Sequence, residues 1–143
     1  MPVHPLQILL VDDSPTDVML TEEALVEAAW PSKLEAVPDG HEALRYLRRE
    51  GNHAGRPRPD MVWLDLNLPG MDGHAILRAI RNDPHLVKIP VMILSTSSDP
   101  ADVDKAYSHH ANCYSVKQVD FGAFAEAIGD IVEFWGKRVS LPS

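Results

Sequence analysis

The sequence predicts a three-layer α/β fold, in which helices cover both faces of a parallel β-sheet. Five apolar segments of strand length alternate with five segments of helical period, mostly on short connections, which is typical of parallel strands joined by helices. The segment Met61–Leu64 is apolar at every position, as in a strand buried on both faces. A chain of 143 residues has room for one core, so we predict a single domain over residues 1–143.

The first half of the chain is predicted to contain three strands and two helices. Ser14 can cap the first helix and Pro15 can take its first position, while Pro31 stops the helix. The connection Gly51–Pro59 carries charged residues, His and Pro, so we expect a solvated loop. The predicted strands are Gln7–Val11, Leu34–Val37 and Met61–Leu64, and the predicted helices run from Pro15 to about Ala29 and from His41 to Glu50.

The second half alternates in the same way. Pro84 ends a third helix that has Ile76 on its apolar face, and strands at Val91–Leu94 and Cys113–Val116 flank a helix at Pro100–His110. The last helix has the clearest period, with apolar residues at i, i+3, i+7, i+10, i+11 and i+14. These residues are Phe121, Phe124, Ile128, Ile131, Val132 and Trp135.

Composition excludes several classes of protein. Lys and Arg number 13 and Asp and Glu number 21, which gives a formal charge of −8, whereas nucleic-acid-binding proteins carry a basic face. No segment approaches the roughly 20 consecutive apolar residues of a membrane-spanning helix. The chain has one cysteine, Cys113, which fits a reducing compartment. We therefore expect a cytoplasmic protein that binds neither nucleic acid nor membrane.

Polar side chains follow four of the predicted strands. In open α/β sheets, ligands bind beyond the carboxyl ends of the strands, so we expect these side chains to meet at one edge of the sheet. They are Asp12 and Asp13 after the first strand, Asp65 and Asn67 after the third, Ser95 and Thr96 after the fourth, and Lys117 after the fifth.

Three carboxylates at one edge repel one another, at a cost of roughly 4 kcal/mol for two charges about 4 Å apart in a medium of dielectric constant near 20. A divalent cation, Mg²⁺ or Mn²⁺, relieves this repulsion, because hard cations bind carboxylate and carbonyl oxygens. Such a cation commonly accompanies a phosphate, which Lys117 and the Ser95 hydroxyl can contact. Carboxylates form aspartyl phosphates, and Asp65 is the candidate nucleophile because it ends the central apolar strand.

Four segments carry a resemblance to a known family. The segments Val62–Gly73, Leu9–Ser14, Leu94–Thr96 and Tyr114–Lys117 resemble, in order and spacing, the motifs of CheY-like receiver domains of two-component systems. The resemblance covers the chain from about Leu6 to Trp135. It implies a flavodoxin-like fold with five parallel strands in the order 2-1-3-4-5.

The resemblance also implies roles for the acidic residues. Asp65 would accept a phosphoryl group from a histidine kinase. Asp12, Asp13, Asp65 and the backbone carbonyl of Asn67 would hold the cation, with Asp12 acting partly through water. The protein would then be a phosphorylation-activated regulator rather than a conventional enzyme, with self-phosphorylation and slow hydrolysis as its only chemistry.

Lys117, Ser95 and Tyr114 would respond to the phosphoryl group. The resemblance implies that Lys117 pairs with the phosphoryl oxygens, that Ser95 moves to bond them, and that Tyr114 turns inward behind Ser95. Receiver domains usually have a proline after this lysine, joined by a cis peptide, whereas here Gln118 follows. Because a cis bond before a non-proline residue costs about 3–4 kcal/mol, we predict that the Lys117–Gln118 peptide is trans.

Three further segments, namely the long loop, the end of the fourth strand and the C-terminal tail, carry a narrower resemblance. Gly51–Pro59, Leu94–Ser97 and Phe134–Pro142 look like the corresponding segments of stand-alone response regulators that partner bacterial phytochrome histidine kinases. This resemblance implies a phytochrome-type kinase as phosphodonor. It leaves the downstream protein partner unidentified.

The C-terminal residues predict a homodimer surface. Phe134 lies off the apolar face of the last helix, and an apolar tail follows it within residues 137–143, which is more apolar surface than a free tail normally exposes. The predicted surface, formed by helix four, strand five, helix five and the tail, includes Tyr107, Phe134, Val139 and Leu141. The alternative is that the tail folds back on its own domain.

Two other functions remain open at this point. A Mg²⁺-dependent aspartyl phosphatase or phosphotransferase would carry a second Asp two residues after the nucleophile, but that position is Asn67, which cannot act as general acid. A receiver-fold scaffold without phosphorylation would not need the full set of site residues.

We expect His74 to be exposed at the start of the third helix and Cys113 to be a small core residue.

Overall fold

A parallel five-stranded sheet lies at the centre of the molecule, with its strands in the order β2-β1-β3-β4-β5. The computed structural model describes residues 3–142. The strands are β1 (Leu6–Val11), β2 (Ser32–Val37), β3 (Met61–Leu64), β4 (Val91–Ser95) and β5 (Cys113–Val116). The helices are α1 (Pro15–Glu27), α2 (Gly40–Leu47), α3 (Gly73–Asn82), α4 (Pro100–Ser108) and α5 (Phe121–Glu133). The predicted flavodoxin-like strand order is confirmed.

The register of β1 and β3 places their carboxyl ends side by side. Val11 lies opposite Leu64, and the backbone amide of Asp65 donates a hydrogen bond to the carbonyl oxygen of Val11 at 3.1 Å. On the other side of β1, the amide of Asp12 donates to the carbonyl oxygen of Val37 at 3.0 Å. The sheet therefore delivers Asp12 and Asp65 to neighbouring points of the same edge.

Two apolar clusters pack on opposite faces of the sheet. One lies under α2, α3 and α4, and the other lies under α1 and α5. Strand β3 supplies both clusters, because Val62 and Leu64 point into the first while Met61 and Trp63 point into the second, and all four are fully buried. The three layers and the burial of β3 on both faces follow the sequence prediction.

Each helix begins after a residue whose side chain accepts a backbone N–H of the first turn, which satisfies one of the free donors at that end. These capping residues are Ser14, Asp39, Asp72, Asp99 and Asp120.

Three helices end before their predicted ends. Helices α2 and α4 end at Leu47 and Ser108, because Arg49 and His110 have φ angles of 55° and 68°, in the left-handed region that ends helices. Helix α1 ends at Glu27, where the following residue is already extended. Hydrophobic period alone does not mark these ends, because each is set by the backbone conformation of a residue just beyond the helix.

The predicted solvated loop Gly51–Pro59 is partly wrong. A single 3₁₀ turn at its start carries His53, which is 6% exposed. Its ring packs on that of Tyr46 with 5.3 Å between centroids, and its Nε2 lies 3.0 Å from a carboxylate oxygen of Glu42. The loop is docked on α2 at this point, because an aromatic ring and a carboxylate there accommodate the imidazole.

The prediction that His74 is exposed is wrong. His74 is 7% exposed, and its Nε2 lies 3.7 Å from a carboxylate oxygen of Asp102 on α4. Its ring meets that of His109 edge-on, with 6.2 Å between centroids. Packing of α4 against the first turn of α3 buries this position.

The C-terminal residues divide between buried and exposed positions. Trp135 and Leu141 are partly buried against the cluster under α1 and α5, and the indole ring of Trp30 lies directly on Gly136. Phe134 is 55% exposed and Tyr107 is 47% exposed. At Leu141 the chain therefore shows the folded-back alternative, while Ser143, at the end of the predicted tail, lies outside the described residues.

Cys113 is a packed strand residue, as predicted. It lies against the cluster under α1 and α5, and burial raises the pKa of its thiol to about 11.

Within residues 3–142, every helix is too short or too polar to cross a lipid bilayer.

Candidate functional site

Three carboxylates converge at the carboxyl ends of β1 and β3. One oxygen from each of Asp12, Asp13 and Asp65 lies within 4.8 Å of the others. Asp12 and Asp65 are buried, with 3% and 8% exposure, whereas Asp13 is exposed. The site is therefore a buried acidic pair with a third carboxylate at its solvent side.

Local backbone amides fix one oxygen of each buried carboxylate. The amide of Ser14 donates to Oδ1 of Asp12 at 2.9 Å, and the amide of Asn67 donates to Oδ1 of Asp65 at 3.1 Å. Both bonds join residues two positions apart, so the turn after each strand orients the carboxylate that precedes it. The second oxygen, Oδ2, of each group is left for other partners.

Gly73 allows α3 to begin directly beneath Asp65. Its amide donates to the carbonyl oxygen of Leu66 at 3.0 Å, and a Cβ at this position would collide with the carbonyl oxygen of Asp65 and would lie 2.6 Å from Cα of Leu66. The glycine that ends the motif Val62–Gly73 thus permits the close backbone approach that holds Asp65 in place.

Lys117 reaches the carboxylates from the end of β5. Its backbone amide donates to the carbonyl oxygen of Ser95 at 2.8 Å, and its Nζ lies 2.7 Å from Oδ2 of Asp12 and 3.4 Å from Oδ2 of Asp65. Burial by itself would lower the pKa of Lys117, but the hydrogen bond to Asp12 and the charges of Asp65 and Asp12 outweigh it and raise this pKa. The ammonium is therefore charged at neutral pH.

The acidity of Asp65 is set by burial and by neighbouring charges. Burial raises the pKa of its carboxyl above the ordinary value, and the charge of Asp12 adds to this, while the charge of Lys117 and the amide of Asn67 act in the opposite direction. A less acidic carboxylate is a better nucleophile when charged, and the charge of Lys117 favours the charged form.

The donor set fits a divalent cation. All candidate ligands are oxygen atoms, and hard cations such as Mg²⁺ and Mn²⁺ take carboxylates and water in preference to nitrogen or sulfur. The exposed position of Asp13 leaves room for the waters that Mg²⁺ retains. The predicted role of the Asn67 carbonyl stays a prediction.

The two predicted switch residues meet at a third residue. Ser95 is fully buried, and its Oγ accepts a hydrogen bond from the amide of Ser97 at 3.2 Å. The hydroxyl of Tyr114 donates to the carbonyl oxygen of Ser97 at 2.8 Å, and the Ser97 hydroxyl donates to Asp102 at 2.6 Å. Ser97 thereby joins Ser95 and Tyr114 through its backbone, and α4 through its side chain.

Sequence reasoning missed a fourth carboxylate at the site. Oδ2 of Asp17, in the first turn of α1, lies 3.0 Å from Nζ of Lys117. Its only signal in the sequence is its place in the first turn after the Ser14 cap, a place that predicts a helix-capping charge rather than a contact with β5.

The remaining predicted residues lie elsewhere. Tyr107 is on α4, and Phe134 and Val139 follow α5, so they are not part of the carboxylate site. The Lys117–Gln118 peptide is trans, as predicted, and residues 3–142 contain no cis peptide bond.

Comparison with known proteins places this site in a family context. Residues 8–129 match the family of the response regulator receiver domain. The chain is 37% identical to the response regulator Rcp1 of Synechocystis sp. over 139 residues. The aligned region covers 97% of this chain and 95% of Rcp1.

Two solved structures are similar along nearly the whole chain. The phosphorylated cyanobacterial phytochrome response regulator RcpA is 41% identical, with a TM-score of 0.91, over 98% of this chain and 100% of that chain. The Mn²⁺-bound form of response regulator Rcp1 is 37% identical, with a TM-score of 0.88, over 97% of this chain and 100% of that chain.

Proposed function

The chain belongs to the response regulator receiver domain family, and we propose that it is switched by phosphorylation of Asp65, with a histidine kinase as the phosphodonor. The observation that carries this proposal is the placement of Asp65 beside Lys117 and within the acidic cluster with Asp12 and Asp13. A nucleophile, an ammonium and a cation-binding set thus share one edge of the sheet.

The transfer uses the groups around Asp65. A carboxylate oxygen of Asp65 attacks the phosphorus of the kinase phosphohistidine, the P–N bond breaks, and the histidine nitrogen leaves with the electron pair and takes a proton. A bound divalent cation supplies charge neutralisation for the carboxylates and the incoming phosphoryl oxygens. Lys117, whose Nζ lies 3.4 Å from Asp65, favours the ionised form of Asp65 before the attack and then donates to a phosphoryl oxygen.

The switch begins at Ser95. The phosphoryl group brings about two negative charges to Asp65, and the buried Ser95 hydroxyl is the neighbouring donor on β4. A move of Ser95 toward the phosphoryl oxygens disturbs its bond to Ser97, which also holds Tyr114 and Asp102. The change is carried in this way to α4 and β5.

The proposed partner kinase is of the phytochrome type. Support comes from the similarity to RcpA, described as a cyanobacterial phytochrome response regulator, over 98% of this chain.

The predicted homodimer rests on the exposed rings of Tyr107 and Phe134, and the downstream partner stays unidentified. The single cysteine and a kinase partner both fit a cytoplasmic protein.

The chain is proposed to have no turnover of phosphate esters. An aspartyl phosphatase needs a proton donor two residues after its nucleophile, and the amide of Asn67 cannot serve as one. Its chemistry is then limited to gaining and slowly losing its own phosphoryl group.

The experiment that tests the proposal is incubation with acetyl phosphate and Mg²⁺. Wild type and an Asp104→Asn variant, in which an exposed residue of α4 is changed, should both shift on a phosphate-binding gel. Asp65→Asn should not shift. Equal shifts in wild type and Asp65→Asn, or no shift in wild type, would contradict the proposal.

A further inference from the structure

A carboxylate outside the acidic cluster contacts the ammonium of Lys117. Oδ2 of Asp17 lies 3.0 Å from Nζ, and the Asp17 side chain is 37% exposed. The backbone amide of Asp17 donates to Oγ of Ser14 at 3.2 Å, and its carbonyl oxygen accepts from the hydroxyl of Thr21 at 2.8 Å. The backbone that carries the carboxylate is therefore fixed in the first turns of α1.

The Lys117 ammonium contacts Asp17 and also Asp12 and Asp65, two carboxylates that are candidate cation ligands. An ammonium has three N–H donors, and Nζ lies 2.7 Å from Asp12, 3.0 Å from Asp17 and 3.4 Å from Asp65. Asp12 and Asp65 belong to the converging cluster, whereas Asp17 does not. Asp17 is thus the acceptor that occupies Lys117 without being a candidate cation ligand.

The position of the ammonium depends on such an acceptor. The backbone of Lys117 is fixed by its bond to Ser95, but a lysine side chain has a flexible four-carbon stem. Without Asp17, two acceptors would remain, and Nζ would settle between Asp12 and Asp65. There it would keep its contact with Asp12, move closer to Oδ2 of Asp65, which now lies 3.4 Å away, and compete more strongly with a divalent cation.

We propose that Asp17 is a positioning residue, which draws the Lys117 ammonium toward α1 and thereby weakens its competition with a divalent cation for Asp12 and Asp65. The proposal deepens the proposed function and rests on it for the role of the cation. Binding of the cation is measured without any phosphodonor, so its test does not depend on phosphorylation.

The test is a calorimetric titration with Mn²⁺ of wild type, Asp17→Asn and Asp17→Glu. Asp17→Asn removes the charge at constant shape and should raise the Kd for Mn²⁺ roughly two- to fivefold, the upper part of the range expected for loss of one partly exposed ion pair. Asp17→Glu keeps the charge and should stay within about twofold of wild type. An unchanged Kd in Asp17→Asn, or an equal rise in Asp17→Glu, would overturn the proposal.

A second pair of variants separates positioning from general charge. If Asp17 acts through Lys117, Asp17→Asn should change the Kd by less than about twofold when Lys117→Met is already present. An equal rise in both backgrounds would show that Asp17 acts only by its charge, and would overturn the proposal.

A third measurement needs no Lys117 variant. Because the ammonium competes with the cation, saturating Mn²⁺ should restore the initial rate of acetyl phosphate labelling of Asp17→Asn to that of wild type. A rate that stays low at saturation contradicts competition. Absence of labelling in wild type would instead count against the proposed function and leave the titration result standing.

Discussion

The backbone amide of Lys117 donates a hydrogen bond to the carbonyl oxygen of Ser95 at 2.8 Å. This bond continues the pairing of β4 and β5, in which Ser95 lies opposite Val116, for one residue beyond the end of β5. It sets the ammonium and the hydroxyl on neighbouring strand ends, beside Asp65. The hydrogen-bonding of the sheet itself therefore positions the two groups that are proposed to contact the phosphoryl group.

Lys117→Met should destabilise the protein when no divalent cation is present. Nζ lies 2.7 Å from the nearly fully buried carboxylate of Asp12, and removing one partner of a buried pair leaves an uncompensated charge. We expect the free energy of unfolding in urea at pH 7 to fall by about 2–4 kcal/mol, and Mn²⁺ to recover part of it.

Lys137→Met is the matched control, because Lys137 is half-exposed and 3.9 Å from Glu133. Its effect should be under about 0.5 kcal/mol. Equal losses in the two variants would show that Lys117 is no more than a surface charge.

Tyr114→Phe should remove the hydrogen bond from the hydroxyl to the carbonyl oxygen of Ser97. We expect the free energy of unfolding to fall by about 0.5–1.5 kcal/mol, measured by urea denaturation. Tyr107→Phe removes the same atom from a ring that is 47% exposed, and should change stability little. A loss in Tyr107→Phe as large as in Tyr114→Phe would contradict the bond to Ser97.

Gly73→Ala should both destabilise the fold and impair phosphorylation. The added methyl group would meet the backbone of Asp65 and Leu66, so the start of α3 and the nucleophile must separate. We expect a loss of about 1–3 kcal/mol and slower labelling by acetyl phosphate.

Gly129→Ala is the control within α5, because a Cβ there meets nothing within 4 Å. It should raise stability by about 0.5–1 kcal/mol. If Gly73→Ala is equally well tolerated, the close approach of α3 to Asp65 does not constrain the site.

His74 should contribute a pH-dependent part of the stability. Burial lowers the pKa of its imidazole below the ordinary value of 6.5, with the charge of Lys105 acting in the same direction and the charges of Asp72 and Asp102 opposing it. As pH falls, the unfolded state takes up the proton first. This contribution is therefore complete above pH 6.5 and decreases as pH falls toward the lower folded-state pKa.

Replacement of His74 by Gln should flatten the fall of unfolding free energy between pH of about 7 and 5, measured by thermal or urea unfolding at each pH. His41→Gln changes an exposed histidine and should leave the slope unchanged. An identical slope in wild type and His74→Gln would show that the folded and unfolded states bind this proton equally.

Sequence reasoning reached most of the fold because its signals are local. The strand Met61–Leu64 and the cap at Ser14 follow from residue type and order, and both are as predicted. The convergence of Asp12, Asp65 and Lys117 could also be predicted, because the carboxyl ends of parallel strands share one edge of the sheet.

The residues that sequence reasoning missed depend on packing between distant elements. His53 and His74 are buried by a docked loop and by α4, which no local pattern encodes. Asp17 contacts Lys117 only because of the way α1 lies beside the end of β5. Ser97 joins Ser95 and Tyr114 through backbone atoms, and every residue type has those atoms.

The most direct measurement locates the phosphoryl group. The protein is labelled with acetyl phosphate and Mg²⁺, reduced with borohydride, which converts an aspartyl phosphate to homoserine, and digested for mass spectrometry. We expect homoserine at position 65, dependent on Mg²⁺ and on the phosphodonor. Homoserine at Asp12 or Asp13 in place of Asp65, or at none of the three, would contradict phosphorylation of Asp65 as the basis of function.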